Sequence, residues 1–246
     1  MSGHSKWATI KHAKGAADAK RGQMFTKLIK EISIAARMGG GDPGGNPRLR
    51  TAIIKARGAN MPKDNIDRAI KKGTGELEGV NYEELVYEAY AHGGVAIFIE
   101  VLTDNKNRAA ADIRNILTRA GGQLATTGSV SRLFKRQGVI TLDGDKYTED
   151  QVMEAAIEGG AEDVSASSGI VEVTSAPEDF ETVVEALQAK NFETMSAEIS
   201  MVADAEVSLD NDATAKTLRL IDKLEENEDV QNVYTNLSIP DGYEGE

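Results

Sequence analysis

The sequence predicts an α+β protein of three domains, in which an all-helical N-terminal domain precedes two ferredoxin-like α+β domains, the middle one discontinuous. Three observations lead to this fold class. Apolar residues recur with helical spacing up to about residue 72, the period changes to two from Tyr82, and residues 138–202 follow a βαββαβ order. The predicted domain limits are 1–78, 79–136 with 206–238, and 137–205, followed by a tail at 239–246.

The first 75 residues predict three helices. Over residues 18–38 the apolar side chains show the i, i+3, i+4, i+7 spacing of an amphipathic helix: Phe25, Leu28, Ile29, Ile32 and Ala36. Glycine and proline at 39–47 end this helix, and a second helix is predicted over 48–57. A third is predicted over 62–72, because Pro62 suits a first helical turn and Gly73 suits a helix end.

The middle domain is predicted to begin with a hairpin. Leu85, Tyr87 and Ala89 share one face of a strand, and alternation resumes after the turn residues 92–94 and runs through Val101. A helix is expected over 107–120, closed by the glycines at 121 and 122, and a short strand over 130–134.

The βαββαβ segment is predicted from strands at 139–142, 163–165, 170–174 and 194–202. Its first helix opens with a capping box at Thr148 and Gln151, and its second begins at Pro177. A last helix over 213–225 and a strand over 230–236 are too little to fold alone. We therefore expect this pair to return and complete the sheet that begins at Tyr82, which makes the middle domain discontinuous.

Charge is distributed very unevenly along the chain. Residues 1–75 hold 16 Lys and Arg against 5 Asp and Glu, a net charge of +11, whereas the remaining residues hold 12 against 35, a net charge of −23. There is no cysteine, and no apolar run approaches the roughly 20 residues of a membrane helix. We expect a cytoplasmic protein with no membrane or small-molecule partner and no cofactor.

The basic segment predicts an electrostatic nucleic-acid site, because cations that contact phosphates release condensed counterions. An ordinary solvated helix face is the alternative for any single lysine. Lys71 and Lys72 are left out, because the helix dipole stabilises cations in a last turn whatever their function. The predicted site residues are Lys6, Lys11, Lys14, Lys20, Arg21, Lys27, Lys30, Arg37, Arg48 and Arg50.

Nothing in the sequence favours an enzyme. His4 and His12 have no nearby cysteine or paired carboxylate, and His92 falls in a predicted turn, so no zinc-ligand spacing is present. The glycine-rich segment at 39–45 lacks the Gly-Lys-Ser/Thr ending of a phosphate-binding loop. A protein-binding role for the edges or the cleft of the two α+β domains is compatible with nucleic-acid binding.

Several motifs resemble the YebC/PmpR family: GHSKW at 3–7, DAKRG at 18–22, FTK at 25–27, GGGDP at 39–43, NPRLR at 46–50, NMPKDNI at 60–66, RAIKKG at 68–73, YE at 87–88, GGVAI at 93–97, LTDN at 102–105 and GSV at 128–130. The resemblance spans nearly the whole chain and is most specific in the first 75 residues. The chain departs from the family at Ala89, Ala91 and Ala125, where the family shows glycine, and at His92, where it shows proline.

The resemblance implies a helical N-terminal domain and two α+β domains around a cleft. It also implies a regulator of gene expression, with a DNA-binding transcriptional regulator as the first reading. Some relatives look instead like translation factors at the ribosome, including a mitochondrial translational activator, and are associated with relief of stalling at proline runs. The implied partner is therefore DNA or, alternatively, ribosomal RNA, together with the transcription machinery or the ribosome.

Overall fold

The computed structural model of the protein describes residues 18–167, 169–240 and 243. The helical region, which we define as the first three helices described, comprises α1 (Asp18–Gly39), α2 (Pro47–Gly58) and α3 (Lys63–Thr74). Their apolar stripes form one core, in which Ile32, Leu49 and Ile66 are buried. The three helices predicted from periodicity are confirmed, although α3 continues through Gly73 to Thr74 and is capped by Gly75, in the left-handed conformation with φ 83°.

Two close contacts hold the helical region together. Asn46 caps α2 by accepting a hydrogen bond from the Leu49 N–H, and its amide donates to the Ala35 and Gly40 carbonyls of the preceding helix end. Gly73 allows α1 and α3 to approach, since a Cβ at this position would lie 2.3 Å from the Ser33 carbonyl oxygen. The Asn46 hydrogen bonds therefore hold the glycine-rich connection between α1 and α2 in place.

The first sheet layer, as we name it, contains β1 (Glu83–Tyr90), β2 (Ala96–Thr103), β3 (Gln123–Leu124) and β9 (Val230–Thr235) in the order β3-β1-β2-β9. β1 and β2 form the predicted antiparallel hairpin. Helices α4 (Lys106–Arg119) and α7 (Asn211–Glu225) belong to the same core. The position of β9 beside β2 confirms that the chain returns to complete this sheet.

The second sheet layer contains β4 (Phe134–Asp143), β5 (Ala161–Ser167), β6 (Ile170–Ser175) and β7 (Thr194–Ala203), with helices α5 (Glu149–Glu158) and α6 (Phe180–Ala189). Its strand order, β5-β6-β4-β7, is that of a ferredoxin-like sheet. Both halves of the capping box at Thr148 and Gln151 are present. A short parallel pair, β8 (Val207–Ser208) with β10 (Leu237–Ser238), lies beside these layers.

Residues 130–134 do not form the short strand that was predicted. They form a 3₁₀ turn at Ser131–Leu133 that leads into β4. The physical reason is the buried Glu88 carboxylate, which accepts hydrogen bonds from the N–H groups of Gly128, Val130 and Ser131. N–H groups bound to a carboxylate cannot also enter a strand ladder.

The two sheet layers meet through aromatic side chains. Phe98 of β2 lies 6.1 Å from Phe134 and 6.2 Å from Tyr234 between ring centroids, and Val130 is buried in the same cluster. The structure thus confirms a mixed α+β fold with a helical N-terminal region. Along the chain, the elements of the first sheet layer come in the order β1-β2-α4-β3, followed later by α7-β9. This order differs from the βαββαβ order of the second sheet layer. Among the helices of the described residues, none combines the length and the apolar composition of a membrane-spanning helix.

Candidate nucleic-acid interface

Four of the predicted site residues have no described side chain. Lys6, Lys11 and Lys14 lie outside the described residues, as do Trp7, His4 and His12. Lys20 lies in α1, but only its backbone is described. The interface can therefore be built from Arg21 onward.

Lys27 lies against the end of α7. Its ammonium donates a hydrogen bond of 2.6 Å to the Glu225 carbonyl, and Gln23, one helical turn earlier, donates to the Glu226 carbonyl at 3.4 Å. The last carbonyls of a helix lack partners within the helix and carry partial negative charge. A lysine there stabilises the contact between α1 and the first sheet layer.

Lys30 is buried, with 6% of its surface exposed. Its ammonium lies 2.8 Å from an Asp229 carboxylate oxygen and 2.8 Å from the Glu228 carbonyl oxygen. Arg108 of α4 approaches the same carboxylate through Nη2 at 2.9 Å and 3.0 Å. Burial alone would raise the pKa of Asp229, but the hydrogen bonds from Lys30 and Arg108 outweigh burial and hold it below its usual range.

Arg48 is also held within the molecule. Its guanidinium makes a bidentate ion pair with Glu31 of α1 and a further ion pair with Glu84 of β1. The hydrogen bond with Glu31, more than the one with Glu84, holds the pKa of Arg48 above its usual value against the effect of burial. Arg48 therefore connects two helices of the helical region to the first sheet layer.

The remaining predicted residues reach the surface to different degrees. Arg21 and Arg37 are exposed, and Arg37 donates to the Tyr82 carbonyl at 3.5 Å. Arg50 is half-buried and donates to the Pro43 carbonyl at 3.1 Å. All three side chains are therefore at least partly accessible to solvent.

In the structure, the side of α1 opposite its apolar stripe is partly covered by another part of the chain. Lys27 and Lys30 point away from the helical core, as the periodicity predicts, but they contact α7 and Asp229. The periodicity of a helix identifies the side that avoids its own core. It does not tell whether water or another domain covers that side.

A different set of cations faces solvent on α2 and α3. Over the part of the chain that the structure describes, these side chains are exposed and have no ion-pair partner: Arg57, Lys63, Arg68, Lys71 and Lys72. The site predicted from the sequence does not include Arg57, Lys63 and Arg68. The available signal was their position beside, and not within, the apolar stripes of their helices. This set, which we name the α2–α3 cations, can neutralise phosphates without breaking an internal ion pair.

The described residues offer no group of three or more His, Asp or Glu side chains that could hold a metal ion. His92 is exposed in the hairpin turn between β1 and β2. What the helical region can do chemically is bind a polyanion through exposed guanidinium and ammonium groups.

Comparison with known proteins gives consistent matches over the chain. Residues 5–76 match the family model described as the TACO1/YebC protein N-terminal domain, and residues 82–237 match the one described as the TACO1/YebC second and third domain. A protein of Treponema denticola named "probable transcriptional regulatory protein" is 66% identical over 99% of each chain. One of Trichlorobacter lovleyi with the same name is 55% identical over 97% of this chain and 96% of its own.

A solved structure supports the fold. The crystal structure of a conserved hypothetical protein from Aquifex aeolicus matches this chain with a TM-score of 0.80 and 45% sequence identity. The match covers 91% of this chain and 92% of the other.

Proposed function

Since the chain belongs to the TACO1/YebC family, we propose that it is a nucleic-acid-binding regulator of gene expression that contacts its target through the helical region. DNA is the first candidate target, in line with the names of the curated relatives. On this proposal the protein acts in the cytoplasm, carries no catalytic site and needs no cofactor.

The separation of charge carries the proposal. The segment with a net charge of +11 contains the helical region, and the α2–α3 cations extend from that region into solvent. The rest of the chain has a net charge of −23 and is repelled by a polyanion. A phosphate backbone would therefore approach the helical region first and leave the sheet layers turned away.

The proposed site combines two sets of residues. From the sequence-based prediction it keeps Lys6, Lys11, Lys14 and Lys20 and three arginines, Arg21, Arg37 and Arg50. To these it adds the α2–α3 cations. Lys27, Lys30 and Arg48 hold the helical region on the first sheet layer, so their role is to fix its orientation.

The test removes three cations from the helical region of the full chain. Arg57→Ala, Lys63→Ala and Arg68→Ala are combined in one variant, and affinity for duplex DNA and for structured RNA is measured by fluorescence anisotropy. Losing three phosphate contacts should weaken binding by roughly tenfold or more at moderate salt. The fold should be unaffected, because all three side chains are exposed.

A matched variant makes the same change of net charge elsewhere. Arg114, Arg119 and Arg132 are exposed, lie outside the helical region and have no ion-pair partner among the described residues. Their combined replacement by alanine should leave binding nearly unchanged. Equal weakening by both variants would mean that binding follows net charge alone and would contradict the proposed site.

The ribosome-associated alternative uses the same surface and has its own outcome. Sedimentation of cell extract in low and high salt shows whether the protein travels with ribosomes or with the nucleoid. If the protein travels with ribosomes and binds structured RNA more tightly than duplex DNA, its role is that of a translation factor and not of a transcriptional regulator. Travel with the nucleoid would support DNA as the target.

A further inference from the structure

We infer that the outer face of α2 reads bases in the major groove of duplex DNA, with Ile54 making an apolar contact with thymine methyl groups. The inference rests on the proposed function and adds to it a residue that distinguishes sequences. Ile54 carries no charge, so phosphate binding by the neighbouring cations would not explain a contribution of Ile54 to the affinity for DNA.

The geometry of α2 places Ile54 at the centre of its outer face. The helix buries Leu49, Ala52, Ile53 and Ala56 against α1 and α3. At about 100° per residue, Thr51, Ile54 and Gly58 lie on the opposite side. The side chain of Ile54 is 62% exposed. Arg50 and Arg57 flank it along one edge of this face.

An exposed apolar side chain is common on protein surfaces and carries no argument alone. A second observation on the same face concerns Gly58. A Cβ at Gly58 would meet no atom within 4 Å, and its φ lies outside the left-handed region. Neither packing nor backbone conformation therefore requires glycine here, although glycine is a poor helix former. A glycine in open space leaves room for close approach of a ligand.

Charge and shape together select the occupant. The arginines beside Ile54 and the net charge of +11 in residues 1–75 favour a polyanion. An α-helix with its side chains is about 10–12 Å across, which fits the roughly 12 Å wide major groove of DNA. The major groove of duplex RNA is too deep and narrow for side chains to read. Of the groups in the DNA groove, the thymine methyl is the one that suits isoleucine.

The test uses two probes that differ by this methyl group alone. Affinity of the full chain is measured for an alternating dA–dT duplex and for the same duplex with deoxyuridine in place of thymidine. Removing one buried methyl contact should weaken wild-type binding by about fourfold. Ile54→Ala should weaken binding of the thymine duplex by a similar factor and abolish the difference between the two probes.

The matched control is Ile157→Ala. Ile157 lies on helix α5 of the second sheet layer and is 60% exposed, close to the value for Ile54. This variant should bind both duplexes as the wild type does. A second variant, Gly58→Ala, should raise the melting temperature, because alanine favours the helix, and lose affinity for the thymine duplex.

The outcomes separate this inference from the proposed function. Equal wild-type affinity for both duplexes, or unchanged binding by Ile54→Ala, would overturn the thymine contact. The cation variant described above would still decide whether the helical region binds nucleic acid. If duplex RNA is bound as tightly as DNA and shows the same loss with Ile54→Ala, the major-groove placement is overturned. Absence of nucleic-acid binding by the wild type would end both proposals.

Discussion

Lys30 and Arg108 reach the same buried carboxylate from distant parts of the chain. Lys30 belongs to α1, Arg108 to α4, and Asp229 precedes β9, so one carboxylate joins the helical region to the first sheet layer. A buried charge is costly unless it is paired and hydrogen-bonded. Here each oxygen of Asp229 has at least one cationic donor. The position of the helical region thus depends on a few specific contacts.

Replacement of Lys30 by methionine tests this dependence. Methionine fills a similar volume but leaves Asp229 with Arg108 as its cationic partner, and we expect a loss of about 2–3 kcal/mol in the free energy of unfolding. Urea unfolding followed by circular dichroism measures it. Lys63→Met is the control, since Lys63 is an exposed helical lysine without an ion pair in the described structure. Its effect should stay within about 0.5 kcal/mol. Equal stability of the two variants would show that the buried pair contributes nothing.

At the scale of elements, the loop before β4 depends on a single carboxylate. Glu88 accepts hydrogen bonds from three backbone N–H groups, at Gly128, Val130 and Ser131. Burial alone would raise the pKa of Glu88, but these hydrogen bonds outweigh burial and hold it below its usual value. A carboxylate with a lowered pKa stabilises the fold above its unfolded-state pKa of about 4.3, and this contribution disappears as the pH falls further.

Glu88→Gln should therefore destabilise the protein in a pH-dependent way. The amide keeps one acceptor oxygen but turns an NH₂ group toward backbone donors, and we expect a loss of about 2–4 kcal/mol at pH 7. The gap between variant and wild type should narrow as the pH falls below the unfolded-state pKa of about 4.3 and on through the lowered pKa of Glu88 in the folded state. Urea titrations at several pH values measure this, with the exposed Glu154→Gln as control. A gap of constant size from pH 7 to pH 3 would refute the role of the charge.

Most elements could be predicted because local pattern and tertiary environment agree. The helices of the helical region, the hairpin and the βαββαβ segment have clear periods, and most of their bounds differ from the prediction by about three residues or fewer. The exception is β4, which begins five residues before the predicted start at 139. The strand predicted over 130–134 was wrong because Glu88, more than 40 residues away in sequence, binds its N–H groups. Strand β3 has two residues, too few to show a period.

The candidate site was less predictable than the fold for a related reason. Composition identifies the basic segment, but the partner of each cation depends on how α1 packs on distant residues such as Asp229 and Glu225. Lys30 and Lys63 look alike in sequence, yet one is buried in an ion pair and the other is exposed. Charge alone therefore identifies the basic region without identifying which of its side chains are available.

At the scale of the whole molecule, we propose one basic domain that binds nucleic acid and two acidic α+β domains. Their limits are 1–78 for the basic domain, and 79–136 with 206–238, and 137–205, for the acidic ones. The internal ion pairs of Lys30 and Arg48 fix the orientation of the basic part on the first sheet layer. A molecule with this arrangement presents one cationic side to a polyanion and acidic surfaces elsewhere.

The salt dependence of binding tests this model most directly. If about five phosphates are neutralised, log affinity of the full chain for duplex DNA should fall against log salt with a slope of about −4.5. The variant lacking Arg57, Lys63 and Arg68 should show a slope shallower by about 2.7, since each contact contributes about 0.9. The matched variant lacking Arg114, Arg119 and Arg132 should keep the wild-type slope. Binding that is insensitive to salt, or equal slopes for all three proteins, would contradict phosphate recognition by the helical region.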